Sequence, residues 1–168
     1  AYQHFNRTFG HLLTQVNNAP FVVVTVLEGA ILGGGFGLAC VSDVALAKAD
    51  AQFGMPETRL GIIPAQIAPF IVQRLGLTQA RRLALLGMRI NGEAAQKIGL
   101  VHEVYADNES LEAALARVIH DLQQCAPHAT QVTKALLQQV GHQPLEQLLD
   151  DAAEAFACAI QSAEGMEG

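Results

Sequence analysis

Two short stretches of this sequence concentrate groups that can do chemistry: Leu32-Gly33-Gly34-Gly35-Phe36-Gly37 and, beyond it, Met55-Pro56-Glu57. The first offers backbone. A helix start leaves about four N–H groups unpaired, and the helix dipole adds partial positive charge there. Glycines let another molecule approach such a backbone without a Cβ in the way. A turn of this kind stabilises an oxygen that acquires negative charge; a helix packed tightly on a strand would use the same glycines. The second stretch offers a carboxylate. Pro56 keeps its predecessor extended and makes Glu57 leave a defined turn. Met55, Pro56, Leu60, Ile62 and Ile63 give Glu57 an apolar setting suited to proton transfer. Taken alone, a Pro-Glu pair reads more simply as a solvated turn.

Spacing excludes the commoner glycine motifs. Gly33, Gly35 and Gly37 are followed by Leu38, so the dinucleotide pattern G-x-G-x-x-G fails, and no Gly-Lys-Ser/Thr follows for a P-loop. A G-x-S-x-G nucleophile elbow is also absent. The formal net charge of −6 argues against a nucleic-acid surface or an anionic membrane as partner. No apolar run approaches the ~18 residues that span a bilayer, and the first residues show no signal or transit pattern. Cys40, Cys125 and Cys158 form no C-x-x-C pair and read as reduced packing residues of a cytoplasmic protein. The six histidines lack metal-ligand spacing, so no metal site is expected.

The elements that must position the two stretches follow from periodicity. Phe5, Phe9, Leu12, Leu13 and Val16 recur at helical spacing and predict a helix over 2–17. The run FVVVTVL over 21–27 predicts a buried strand feeding the glycine turn and a helix that ends near Ser42-Asp43. Residues 44–47 read as a second strand and 51–53 as a short extended piece. Two helices are expected over 66–75, with Pro69 in the first turn, and 78–86, with Thr78 as N-cap and Gly87 as the stop. Asn91 or Gly92 opens a third short helix that Gly99 ends, before a brief strand over 101–105. This alternation predicts an α/β layering. Three helices without strands follow, over 110–124, 127–140 and 144–162. Leu145, Leu148, Leu149, Phe156 and Ile160 make the last apolar over more than one face, as at a subunit contact.

In order, the glycine turn, Ser42-Asp43, Phe53-Gly54-Met55-Pro56-Glu57 and Leu60-Gly61-Ile62-Ile63-Pro64 resemble the crotonase superfamily, the enoyl-CoA hydratase/isomerase fold. Leu86-Gly87, Glu93-Ala94, Gly99-Leu100-Val101 and Glu164-Gly165-Met166 extend the resemblance across the chain. It implies a crotonase-like spiral of strand-and-helix units over 1–106 and a helical trimerisation segment over 107–168. It also implies a truncated chain, lacking N-terminal strands, the other oxyanion donor and most of the adenine-binding loop.

By the same resemblance, Glu57 is the catalytic acid/base, exchanging a proton with the substrate α-carbon. Gly34 supplies the oxyanion N–H, and Ala30, Ile31, Gly33, Gly37, Pro56 and Gln66 lie at the bound substrate. No cofactor is implied beyond the coenzyme A of an acyl-CoA substrate. The partners implied are copies of the chain, in a homotrimer or dimer of trimers. Well-known two-glutamate hydratases carry their second acid where this chain has Gly37, so three readings stay open. Either Glu57 serves alone, or another residue holds the water, or the reaction is a one-base Δ3,Δ2-enoyl-CoA isomerisation. A non-catalytic CoA-ester-binding homologue is the reading outside enzymes. Pro64-Ala65-Gln66-Ile67-Ala68-Pro69 resembles hydratases acting on methylglutaconyl- or isohexenylglutaconyl-CoA, which implies a branched acyl group. Phe70 fits either acyl contact or core. Arg81-Arg82 reads as a solvated face, with contact to CoA phosphates as the alternative.

Overall fold

The computed structural model describes residues 1–167. Helix α1 (Tyr2–Asn17) opens the chain, followed by β1 (Val24–Leu27), β2 (Ala30–Leu32), α2 (Gly34–Val41), β3 (Val44–Lys48) and β4 (Gln52–Gly54). A 3₁₀ turn (Glu57–Leu60), α3 (Ala68–Leu86), β5 (Arg89–Asn91), α4 (Gly92–Lys97) and β6 (Glu103–Tyr105) come next. Helices α5 (Asn108–Gln123), α6 (Pro127–Gln139), α7 (Leu145–Gln161) and α8 (Ala163–Glu167) complete the described residues. None of these helices is long and apolar enough to cross a membrane.

The strands form two three-stranded sheets. One is wholly parallel in the order β1-β3-β6; in the other, β4 pairs parallel with β2 and antiparallel with β5. Strand β1 is shorter than the apolar run predicts. The ladder begins at Val24 opposite Val44, because the Asp43 carboxylate accepts the Val23 N–H at 2.7 Å in place of a strand partner. Phe21 is left exposed. Sequence reasoning missed β2 and β5; both are three-residue strands whose partner is β4.

Leu13, Ile31, Phe36, Ala39, Phe53, Met55, Ile67, Ile71 and Leu100 belong to one buried core around these sheets. Phe5 and Leu12, expected on the buried stripe of α1, are exposed. Gly76, at φ 73° and ψ 161°, breaks α3 into the two helical pieces expected. Gly87 ends it in the left-handed region, where a Cβ is penalised. Asn91 caps α4 by accepting the Ala94 N–H at 2.9 Å.

Cys40 is buried, and burial pushes its thiol up to about 12 against a weaker opposing pull from Arg74. Cys125 and Cys158 are exposed, which corrects their expected packing role. Cys125 lies in the bend between α5 and α6, and Cys158 on α7.

The chain divides into two compact units, one of Ala1–Ala19 with Val23–Arg117, the other of Pro20–Val22 with the residues from 118 onward. This division falls inside α5. Leu111 and Ala114 are buried, and Arg117 pairs with Glu103 of β6 at 2.5 Å, so the first turns of α5 stay with the strands. In the second unit, Glu164 accepts the N–H groups of His128 and Ala129 at the start of α6. Leu148 of α7 is buried, while Leu145, Leu149, Phe156 and Ile160 of that helix are exposed.

Candidate active site

The glycine turn is set by sheet pairing. Strand β2 runs in register with β4, and the Gly33 N–H donates to the Gly54 carbonyl at 3.0 Å. Gly33 then takes φ 51° and ψ −112°, a conformation that strains any residue with a Cβ, and the chain turns directly into α2. The first bond of that helix runs from the Gly37 N–H to the Gly33 carbonyl at 3.1 Å. The N–H of Gly34 therefore precedes the intrahelical ladder and sits at its positive end.

The acid comes from the opposite side. The 3₁₀ turn closes with the N–H groups of Arg59 and Leu60 on the Pro56 carbonyl, at 3.0 and 3.2 Å, and places Glu57 next to Gly33. A Cβ on Gly33 would lie 3.0 Å from Glu57 Oε1. Glu57 Oε2 is buried and has no hydrogen-bond partner among the described residues. A buried acceptor without a protein partner is uncommon and is a mark of a working group.

Both turns open on one cleft of about 260 Å³, bordered by Phe5, Asn6, Phe9, Gly34, Glu57 and residues 62–67. Its walls are mostly apolar, and Glu57 is the one carboxylate among its described lining residues. The cleft thus brings the Gly34 backbone and the Glu57 carboxylate to the same space, an arrangement chemically able to donate an N–H and to accept or return a proton.

The expected site residues divide. Gly34, Glu57 and Gln66 border the cleft, and Gly33 supports Glu57 from behind. Pro56 anchors the acid turn through its carbonyl. Ala30 is exposed on β2 and Ile31 is buried in the core; neither borders the cleft.

Gly37 is corrected most clearly. It is buried, and a Cβ there would meet Ile67 Cγ2 at 2.4 Å and Leu13 Cδ1 at 3.4 Å. Side-chain packing already fills the space that a missing side chain was expected to leave to substrate. Gln66, at the cleft, is also tied to α1: its Nε2 donates to Asn6 Oδ1 at 2.9 Å and its Oε1 accepts from Arg7 at 3.4 Å. Its amide ties the 62–67 wall to α1 over Gly10, where a Cβ would lie 2.0 Å from Gln66 Oε1. Sequence reasoning missed Phe5 and Phe9 as cleft residues; a Cβ on Gly34 would approach the Phe9 ring to 3.0 Å. The apolar stripe of α1 is the signal that could have found them.

A family model described as enoyl-CoA hydratase/isomerase matches residues 1–168. The chain belongs to the enoyl-CoA hydratase/isomerase family. Its α/β crotonase-like fold is matched by the solved structure of Pseudomonas aeruginosa AtuE, with a TM-score of 0.98 and 57% identity over 99% of this chain and 65% of that one. Enoyl-CoA hydratase ACTT6 of Alternaria alternata is 35% identical over 74% of this chain and 42% of its own length. The 2,3-dehydroadipyl-CoA hydratase of Escherichia coli K12 is 31% identical over 92% of this chain and 60% of its own length. The chain thus spans about half the length of these curated family members.

Proposed function

We propose that this protein adds water across the double bond of a 2-enoyl-CoA thioester. The observation that carries the reading is the meeting of Gly34 and the unpartnered buried oxygen of Glu57 in one apolar cleft. The Gly34 N–H donates to the thioester oxygen. As the water oxygen bonds to C3, one water proton passes to Glu57, and the C2=C3 electron pair moves toward the thioester oxygen as an enolate. The enolate then takes the proton from Glu57 at C2, which restores the carbonyl and the carboxylate. One N–H donor of this kind is worth about 3 kcal/mol of transition-state stabilisation.

The branched isohexenylglutaconyl-type acyl group is part of this proposal, supported by the Pro-Ala-x-Ile-Ala-Pro stretch and by the apolar wall of Ile62, Ile63 and Ile67. So are a cytoplasmic setting and a homotrimer or dimer of trimers. The exposed apolar residues of α7 support the oligomer, since a monomer would leave that face in water. Light scattering that gave a monomer at micromolar concentration would remove that part.

One observation favours a second reading. With Gly37 sealed under Ile67, Glu57 is the single carboxylate at the cleft among the described residues. A single base suffices to move a double bond, taking the proton from C2 of a 3-enoyl-CoA ester and returning it at C4. The deciding experiment gives the full-length protein a panel of linear and branched 2-enoyl- and 3-enoyl-CoA esters and follows water addition and double-bond migration separately. Hydration of a glutaconyl-type ester is the expected result. Migration alone selects the isomerase, and binding without turnover selects a non-catalytic homologue.

A further inference from the structure

The last four carbonyls of a helix have no partner within it. At the end of α3, the Leu83 carbonyl accepts the Met88 N–H at 3.1 Å and the Ala84 carbonyl accepts the Gly87 N–H at 3.4 Å. This is the usual glycine-ended closure. Two further bonds come from the residues directly after Glu57. Thr58 Oγ1 donates to the Ala84 carbonyl at 2.9 Å, and Arg59 Nε donates to the Leu86 carbonyl at 3.2 Å. The stem of Arg59 lies across Gly87, where a Cβ would meet its Cγ at 2.7 Å and its Nε at 2.9 Å. A guanidinium is also the favourable charge for this end of a helix.

We propose that Thr58 and Arg59 are positioning residues, clamping the turn that carries Glu57 to the C-terminal end of α3, with Gly87 as the seat for Arg59. The inference rests on the reading of Glu57 as the proton-exchanging group. None of the residues in the 3₁₀ turn is buried, so core packing does not hold it. A single turn of this kind does not hold itself. Nor does Glu57 Oε2 make a protein hydrogen bond that would fix the carboxylate directly. The place of the carboxylate is therefore set by its backbone, and the backbone is set by its two neighbours. A displacement of about 1 Å in a reacting group can cost on the order of 100-fold in rate.

The test uses the full-length protein and the enoyl-CoA ester it turns over best, comparing Thr58→Val, Thr58→Ser, Arg59→Ala, Arg59→Lys and the double variant Thr58→Val/Arg59→Ala with Glu57→Gln. Each single loss should lower kcat about tenfold and the double loss about 100-fold, with KM within about twofold and the fold retained by circular dichroism. Thr58→Ser, which keeps the hydroxyl, should restore kcat. Arg59→Lys, which keeps stem and charge but moves the donor, should fall between parent and Arg59→Ala. Should the double variant not fold, the near-isosteric Thr58→Val against Thr58→Ser decides alone. Parent-like kcat in Thr58→Val, or a loss that Thr58→Ser does not restore, overturns the clamp while an inactive Glu57→Gln leaves the acid assignment standing. Activity retained in Glu57→Gln overturns the reading beneath it instead.

Discussion

The turn at residues 33–35 is held by main chain: register between β2 and β4, the bond from the Gly33 N–H to the Gly54 carbonyl, and the first bond of α2. The turn at Glu57–Leu60 is held by side chains, through Thr58 and Arg59 on the end of α3. The difference follows from what each must deliver. A backbone N–H is positioned only when the backbone itself is fixed, and glycine is needed where the chain takes φ 51°. A carboxylate stands at the end of a side chain, so the turn beneath it can be anchored by exposed neighbours. The first anchorage leaves no adjustable part, whereas the second can be altered one hydrogen bond at a time.

The largest effect should come from Glu57→Gln, which removes the exchangeable proton while leaving both turns in place. Turnover should fall about 100- to 10,000-fold, with unfolding temperature and CoA-ester affinity close to the parent. Hydration within a few-fold of the parent would mean that the side-chain turn delivers something other than an acid.

Next in size is Gly37→Ala, which tests whether α2 is seated as tightly as its contacts imply. A Cβ at 2.4 Å from Ile67 Cγ2 must push that side chain, and overpacking of this kind costs about 1–3 kcal/mol. Ile67→Ala removes the opposing methyl. The double variant should therefore be more stable than the two single losses added together, with a coupling of about 0.5–3 kcal/mol in denaturant unfolding. Strict additivity would show that Gly37 and Ile67 do not share one space.

Gly33→Ala joins the two turns in one experiment. The sparsely populated conformation at φ 51° and ψ −112° costs a residue with a Cβ about 1–3 kcal/mol, and the new methyl would sit 3.0 Å from Glu57 Oε1. A loss of both stability and kcat is expected, the latter on the order of tenfold. A stability loss with unchanged kcat would show that the acid turn does not lean on the glycine turn.

What could be read from the residues alone follows the same division. Strands β1 and β3 are legible because each lies in a short run that is almost wholly apolar, although β1 leaves Val26 exposed. The stops at Gly87 and Gly99 and the cap at Asn91 are legible because one residue type carries each. Strands β2 and β5 are not, since three residues show no period and Arg89-Ile90-Asn91 becomes a strand only by pairing with β4. Gly34 and Glu57 stand out as an ordered pattern. The clamp does not, because Thr58 and Arg59 bond carbonyls 26 and 27 residues away, and any sequence has carbonyls there. The sealing of Gly37 by Ile67 and the tie from Gln66 to Asn6 are hidden for the same reason.

The smallest effect is expected away from both turns, in the parallel sheet. His102 lies beside β3: its N–H donates to the Ala45 carbonyl at 2.8 Å, and its Nδ1 accepts the Ala45 N–H at 2.9 Å. That acceptor exists only while the ring is neutral at Nδ1. Burial first, then the positive charge of Arg74, hold the imidazole below its ordinary value of 6.5, with Glu103 pulling weakly upward. A lowered value in the folded state means that the unfolded chain binds the proton more readily. The contribution is therefore complete above pH 6.5 and is lost as the pH falls through the lower folded value. His102 stays accessible enough for solvent to screen part of this effect, and a fall of about 1 °C in Tm between pH 7 and pH 5 is expected from this group. His102→Gln should flatten that part of the Tm profile without changing the ratio of hydration to double-bond migration. A change in that ratio would tie the parallel sheet to the cleft and remove the separation between the regions that hold the fold and the two turns proposed to do the chemistry.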